Sequence, residues 1–370
     1  MNILFISFNL YPCNTGGAEI FDYYLIRAIS RHYKTFVMSH CNKNIGNDVI
    51  RIRLFKLISK KISFSGLQCF INILLLRKQV DLIHVNYTDR KWFLWLIFPF
   101  LKRMFGVPYI VTIHGGKMHS WRPHIVHKIF FAHAASIIAV SQRIKDEYQK
   151  RTNRKIEMVA PLVPFRKCAD SKSVLRGRYG FKINDKIIIS VGSMKKPKGS
   201  DIILNAFIKI EKEYIKKHNL KLIYAGRDCM KKELQRQVKK NNLEWCIKFF
   251  GKVKYERIHE LYKMADMYIT ASFVEGNSIS LLEAFFNGLA IIGADSVGIN
   301  DVIKDEENGL LFEAGNVNQL KEQIQRMVED EALSQKICEN ARKFYALNYN
   351  FEDTIKAYLN ILRTISHASN

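Results

Sequence analysis

Two glutamates, Glu275 and Glu283, are separated by seven residues, Gly276-Asn277-Ser278-Ile279-Ser280-Leu281-Leu282. Either Asn277 or Ser278 can cap a helix. That start leaves Glu275 in the loop before the helix and puts Glu283 in its second turn. Eight helical positions at ~1.5 Å each span up to ~12 Å. The reach suits the two ends of a nucleotide sugar, with the helix N-terminus between them for the phosphates. One carboxylate can accept both hydrogens of a vicinal diol, so one glutamate suits a ribose. The same spacing is common in helices that bind nothing.

Three further segments carry groups that could do chemistry. Val191-Gly192-Ser193-Met194-Lys195-Lys196-Pro197-Lys198-Gly199 gathers three lysines into one loop, where point charges can meet a diphosphate. A solvated basic loop has the same composition. Gly16-Gly17-Ala18-Glu19 precedes an amphipathic stretch, and paired glycines let backbone N–H groups approach a phosphate. A helix start without a ligand looks the same. Thr112-Ile113-His114-Gly115-Gly116 ends a strand-like run, so His114 is either a site residue or a packed turn residue. His119, His124, His127 and His133 cluster downstream, but no Cys or carboxylate joins them locally. A basic helix face is expected there, and no metal site.

The elements that position these groups follow from hydrophobic pattern. Ile3 to Phe8 is a continuous apolar run, as in a strand buried on both faces of a parallel sheet. Further strands are predicted at 35–39, 49–54, 82–85, 109–113 and 136–140, with helices at 20–30, 65–78, 92–105, 125–134 and 143–150. A second β-α series starts at 187, with one long helix expected over 201–217. All four segments then lie at strand ends, where doubly wound sheets bind ligands. The predicted division is an acceptor lobe at 1–164, a linker at 165–185 around a basic, small-residue stretch, a nucleotide-binding lobe at 186–345, and a C-terminal crossover helix in 346–370.

The chain has 370 residues, 48% hydrophobic and 25% charged, which excludes disordered and collagen-like classes. Its seven cysteines form no C-x-x-C pair. That argues against a zinc ribbon or a disulfide framework, and predicts a reduced, soluble, cytoplasmic protein. The longest apolar run, Trp92–Leu101, has ten residues, about half of a membrane span. Net charge is +24, and the first 160 residues hold 24 Lys and Arg against 8 Asp and Glu. A one-sided positive field attracts polyanions: nucleic acid, anionic lipid or a phosphorylated substrate. Nucleic acid is disfavoured because no recognition motif for it is present.

Taken in order, these segments resemble glycosyltransferase family 4, the retaining GT-B enzymes. Asp81-Leu82-Ile83-His84-Val85, Ala139-Val140-Ser141, Ala265-Asp266, Ser272, Gly288 and Asn308-Gly309-Leu310-Leu311-Phe312 add to the likeness. The resemblance implies two Rossmann-like doubly wound lobes facing a cleft, and a C-terminal helix crossing back to the first lobe. It implies Glu283 on the ribose, Glu275 on the donor sugar and Lys198 on the diphosphate. Ser193 and the amides of Asn277, Ser278 and Ile279 would lie along the phosphates. His114 would lie near the transferred sugar, and Gly16-Gly17 would close over the diphosphate. Three positions depart from the family: Ser193 stands where Arg is usual, Asn86 where a second His is frequent, and Asp301 where Glu is usual.

The expected activity is retaining transfer from a UDP- or GDP-sugar to a hydroxyl of a glycan or lipid-linked acceptor, with no cofactor and no metal. Another GT-B chemistry, an epimerase or an inverting transferase, is the alternative. Arg51, Arg53, Lys56, Lys60 and Lys61 interleave with apolar residues, and Trp92–Phe105 adds aromatics flanked by basic residues. Those stretches suggest peripheral contact with an anionic membrane, possible at the cytoplasmic face of the inner membrane. For the second stretch, a core helix with a solvated rim is the competing expectation.

Overall fold

The structure is a computed structural model, and it describes residues 1–13, 16–53, 64–87, 95–115, 124–161, 168–227, 230–276 and 278–368. The chain divides into two units, Met1–Pro164 with Tyr349–Asn370, and Phe165–Asn348.

The first unit is built on a seven-stranded, wholly parallel sheet. Its strands are β1 (Asn2–Ile6), β2 (Lys34–Ser39), β3 (Val49–Arg53), β4 (Leu82–Tyr87), β5 (Tyr109–Ile113), β6 (Ser136–Ala139) and β7 (Ile156–Met158), in the order β3-β2-β1-β4-β5-β6-β7. β1 lies between β2 and β4, so the topology reverses there: Ile3 to Ile6 pair with residues 35–38 on one side and 82–85 on the other. The near-continuous apolar runs of these strands follow from burial on both faces. The helices are α1 (Gly17–Ile29), α2 (Phe64–Leu76), α3 (Ile97–Phe105), α4 (His124–His133) and α5 (Gln142–Gln149). The last helix, α14 (Phe351–Ala368), completes this unit: Ile355, Tyr358, Leu359, Leu362 and Ile365 are buried in its core.

The second unit has a six-stranded parallel sheet, β10-β9-β8-β11-β12-β13. The strands are β8 (Lys186–Val191), β9 (Leu220–Ala225), β10 (Ile247–Gly251), β11 (Met267–Thr270), β12 (Ala290–Asp295) and β13 (Leu310–Glu313). Its helices are α6 (Lys172–Tyr179), α7 (Ser200–Ile208), α8 (Lys212–Lys217), α9 (Lys231–Lys240), α10 (Tyr255–Met264), α11 (Ile279–Asn287), α12 (Val317–Glu329) and α13 (Glu331–Asn348). Here the reversal falls between β8 and β11. Both sheets therefore have the Rossmann-like order, with a ligand-binding crevice expected at the carboxyl ends of the central strands.

Three sequence expectations need correction. The segment read as a linker at 165–185 contains α6, capped by Ser171 Oγ and tied into the unit where Arg176 and Lys172 meet Asp266 at 2.6 and 2.5 Å. Its basic composition hid a helix whose charges are paired. The single helix expected over 201–217 is two, because the chain turns at 209–211 and buries both Ile210 and Ile215. The chain is also not fully reduced: Cys13 and Cys41 form a disulfide with Cα atoms 5.5 Å apart. They are 28 residues apart in sequence. Local spacing says nothing of such a pair, but β1 and β2 are parallel neighbours, and so the loops after them meet.

Candidate active site

In the second unit, the loop after β8 and the loop after β11 stand side by side, as the strand order requires. Gly199, at φ +64°, is held by backbone sterics: a Cβ there would run into the carbonyl oxygen of Ala271. Phe273 N–H donates to Pro197 O at 3.1 Å, which locks the two loops together. Lys198 ends a 3-10 turn, Lys196–Lys198, and its Nζ lies 2.5 Å from Glu275 Oε1. Glu275 N–H donates to Val297 O at 2.8 Å, so its backbone is fixed as well. Ser193 is partly exposed in the same loop, whereas Lys195 and Lys196 are exposed.

Ser278 occupies the N-cap of α11, but its side chain makes no capping bond. Its Oγ lies 3.2 Å from Ser280 Oγ instead, so the expected Ser278 side-chain cap is not made. Helix-start amides without a side-chain acceptor suit an anionic ligand. Ile279 begins the helix, and Asn277 lies outside the described residues.

Glu283 is buried in the second turn of α11. Burial pushes its carboxyl up to about 7, and the neighbouring Tyr262 and Tyr255 hydroxyls pull partly the other way. Its Oε1 has no hydrogen-bond partner among the described residues. A buried carboxylate oxygen left open is costly in a structure that binds nothing. Sequence reading found Glu283 but not its tyrosines. They come from α10, whose i,i+7 spacing puts Tyr255 and Tyr262 on one helix face. Arg227 was also missed: it follows β9, and its carbonyl accepts the Met194 N–H at 3.0 Å, which puts an arginine beside the Ser193 loop.

In the first unit, Gly16 is the N-cap of α1, and Gly17 is its first residue. Ser7 follows β1, Asn86 lies near the end of β4, and His114 follows β5. These are the central strands around the topological reversal. His114 Nε2 lies 3.3 Å from Asn86 Oδ1 and 3.3 Å from Asp22 Oδ1. Its ring packs T-shaped against that of Phe21, with centroids 4.8 Å apart. Deeper in the same face, His84 Nε2 contacts Thr112 Oγ1 at 2.9 Å and Tyr358 Oη at 2.5 Å. Full burial, and to a lesser extent the neighbouring His114, holds His84 down at about 3, so it is neutral. The structure thus brings together Glu275 and Lys198 in one unit, and places His114 and the Gly16-Gly17 turn in the other. His119 and the side chains of His124 and His127 lie outside the described residues.

Against known families, residues 15–165 match Glycosyltransferase Family 4 and residues 171–344 match Glycosyl transferases group 1. The chain belongs to glycosyltransferase family 4, and it is a transferase of GT-B fold. It is 26% identical over 292 residues to the N-acetyl-alpha-D-glucosaminyl L-malate synthase of Bacillus anthracis, covering 76% of this chain and 74% of that protein. Among solved structures it resembles Anabaena HepE in complex with UDP and glucose, with a TM-score of 0.81 and 17% identity over 98% of this chain and 100% of that one. It also resembles WaaG, a glycosyltransferase involved in lipopolysaccharide biosynthesis, with a TM-score of 0.74 and 17% identity over 97% and 99% of the two chains. At such identities the solved structures speak for the fold.

Proposed function

We propose that the protein is a retaining, metal-independent hexosyltransferase. It moves a sugar from a UDP- or GDP-sugar to a hydroxyl of a glycan or lipid-linked acceptor in cell-surface polysaccharide assembly. The observation that carries the reading is the buried Glu283 oxygen with no hydrogen-bond partner among the described residues, in the second turn of a helix whose N-cap Ser278 side chain makes no cap, and in the same unit as the Lys198–Glu275 pair. A ribose diol can supply the missing donors, and the diphosphate can take the amides and the lysine. The UDP-bound HepE structure supports a nucleotide-sugar donor.

In this mechanism, negative charge grows on the leaving diphosphate as the bond to the sugar lengthens. Lys198 and the α11 amides stabilise that charge, without a step that calls for a cation. Glu275 holds the sugar. The family resemblance assigns His114 to the transferred sugar, and the leaving phosphate takes the acceptor proton on the same face. The test is a panel of UDP- and GDP-sugars scored by thermal stabilisation and by donor hydrolysis, with and without EDTA. Stabilisation by one nucleotide series, with turnover kept in EDTA, is expected. No response to any nucleotide sugar overturns the donor reading.

The membrane proposal has support in α3. Its buried side carries Phe98, Pro99 and Leu101, but Leu96, Phe100 and Met104 are 40%, 49% and 58% exposed. Their i,i+4 spacing makes one apolar stripe, with Arg103 beside it. That arrangement suits the boundary of an anionic leaflet. The basic run at 54–61 lies outside the described residues. No described helix is long and apolar enough to cross a membrane.

A further inference from the structure

α1 is amphipathic, with Phe21, Leu25, Ile26 and Ile29 on its buried side. Asp22 lies on that same side and is 3% exposed, an acid where the pattern calls for an apolar residue. Burying a carboxylate without partners costs several kcal/mol, so its partners show what it is for. Asp22 Oδ2 accepts from Ser7 Oγ at 2.7 Å and from Asn86 Nδ2 at 2.6 Å. Asp22 Oδ1 has no aligned donor among the described residues, and His114 Nε2 stands 3.3 Å from it.

The second bond decides the orientation of Asn86. With its Nδ2 committed to Asp22, the amide turns its Oδ1 to His114 Nε2 at 3.3 Å. Nε2 therefore faces two oxygens, an amide carbonyl and a carboxylate, and both only accept. That nitrogen must carry the proton. In the neutral ring, the other nitrogen, Nδ1, is then the lone-pair nitrogen.

We propose that Asp22 is a positioning residue that, through Asn86 and its own free oxygen, fixes His114 as the Nε2–H tautomer and so offers Nδ1 as an acceptor to a substrate hydroxyl. A ring nitrogen's protonation is set by what the opposite nitrogen meets, and a buried carboxylate is an effective group for this. The ring of Phe21, the residue before Asp22, packs at a steep angle against the His114 ring, so consecutive residues of α1 bear on both the plane and the proton of His114. Asn86 is essential to this arrangement, because a histidine at that position would not present the same fixed amide oxygen. The catalytic meaning of the tautomer rests on the proposed role of His114 at the transferred sugar; the tautomer itself does not.

The test is long-range 1H–15N correlation on the full chain labelled with 15N-histidine, at about pH 8.5, above the usual imidazole range. His114→Gln assigns the signal by its loss. Wild-type His114 should show the Nε2–H pattern. Asp22→Asn should shift it toward Nδ1–H and lower kcat on the order of 10- to 100-fold, the range for partners that orient a functional group, with donor KM held. A wild-type Nδ1–H pattern overturns the proposal, as does an Asp22→Asn enzyme that keeps both the wild-type pattern and kcat. If the tautomer changes while kcat holds, Asp22 positions His114 as proposed, and the sugar-facing role of His114 is what fails. Should Asp22→Asn not fold, Asn86→Ala removes the amide that Asp22 orients and is read in the same two ways.

Discussion

Lys198 Nζ and Glu275 Oε1 are 2.5 Å apart, so the residues assigned to the diphosphate and to the sugar hold each other. The Lys198 side chain is 38% exposed and that of Glu275 is 12% exposed. Water screens the lysine end, which makes the pair a weak contributor to stability. On the proposed function, an arriving donor would give the lysine a phosphate and free the carboxylate for sugar hydroxyls, so both charges would keep a partner.

Lys198→Ala should therefore lower turnover of the nucleotide sugar much more than it weakens binding of the nucleoside monophosphate. A hydrogen bond to a charged group is worth about 1.5–3 kcal/mol, or about 10- to 150-fold. Kinetics and calorimetry on both ligands check this. Equal losses for monophosphate and diphosphate would remove Lys198 from the diphosphate site.

Ser193→Arg should tighten binding of the nucleoside diphosphate. A guanidinium can hold two phosphate oxygens at once, which the flexible amines of Lys195 and Lys196 cannot. Titration of the variant against wild type reads the change directly. Unchanged affinity would mean that this loop directs position 193 away from the phosphates.

If Glu283 holds the ribose, donor binding depends on pH. Its carboxyl is raised to about 7, yet a ribose diol needs the ionised form as an acceptor. Donor affinity should rise as pH goes from about 6 to 8 and then level, by up to about tenfold per unit below the pKa. Glu283→Gln should flatten that profile and weaken binding at high pH by about 1–3 kcal/mol. The stability sign runs the same way. A raised folded pKa means that the neutral form stabilises the native state, fully below the unfolded value near 4.5 and less as pH rises through about 7. Denaturant titrations of the free protein should show stability falling over that window, and the Gln variant should not follow.

If α3 meets a membrane, the wild type should co-sediment with vesicles containing phosphatidylglycerol or cardiolipin, less so as salt rises. Phe100→Gln with Met104→Gln should reduce that binding and leave nucleotide affinity alone, since both side chains are exposed. A wild type that stays in the supernatant at low salt argues for a soluble acceptor.

Much of the fold was legible because parallel strands must be apolar throughout. The runs at 3–6, 109–113 and 187–191 read as strands for that reason. What failed was local. α6 carries Lys172, Arg176 and Arg178 and looks like a solvated linker until Asp266, Asp170 and Glu260 are seen opposite them. The three-residue strand β7 is too short for a periodic signal. At the site, Glu275, Lys198 and Glu283 could be found from spacing. Asp22 could not be assigned a role, although its place on the apolar face of α1 was readable. Its partners lie 15, 64 and 92 residues away, and only the strand order around β1 and β4 gathers them.

The chain leaves the first unit at Pro164 and re-enters it at Tyr349, with Tyr358 of α14 hydrogen-bonded to Thr112 in its interior. On the ribosome, the second unit is therefore complete before the helix that finishes the first has been made. The first sheet must wait, with its α14 face bare, through the synthesis of 184 intervening residues. The unit that begins first is the last to close, so a stalled or truncated chain would expose the apolar floor beneath His84 to chaperones and proteases.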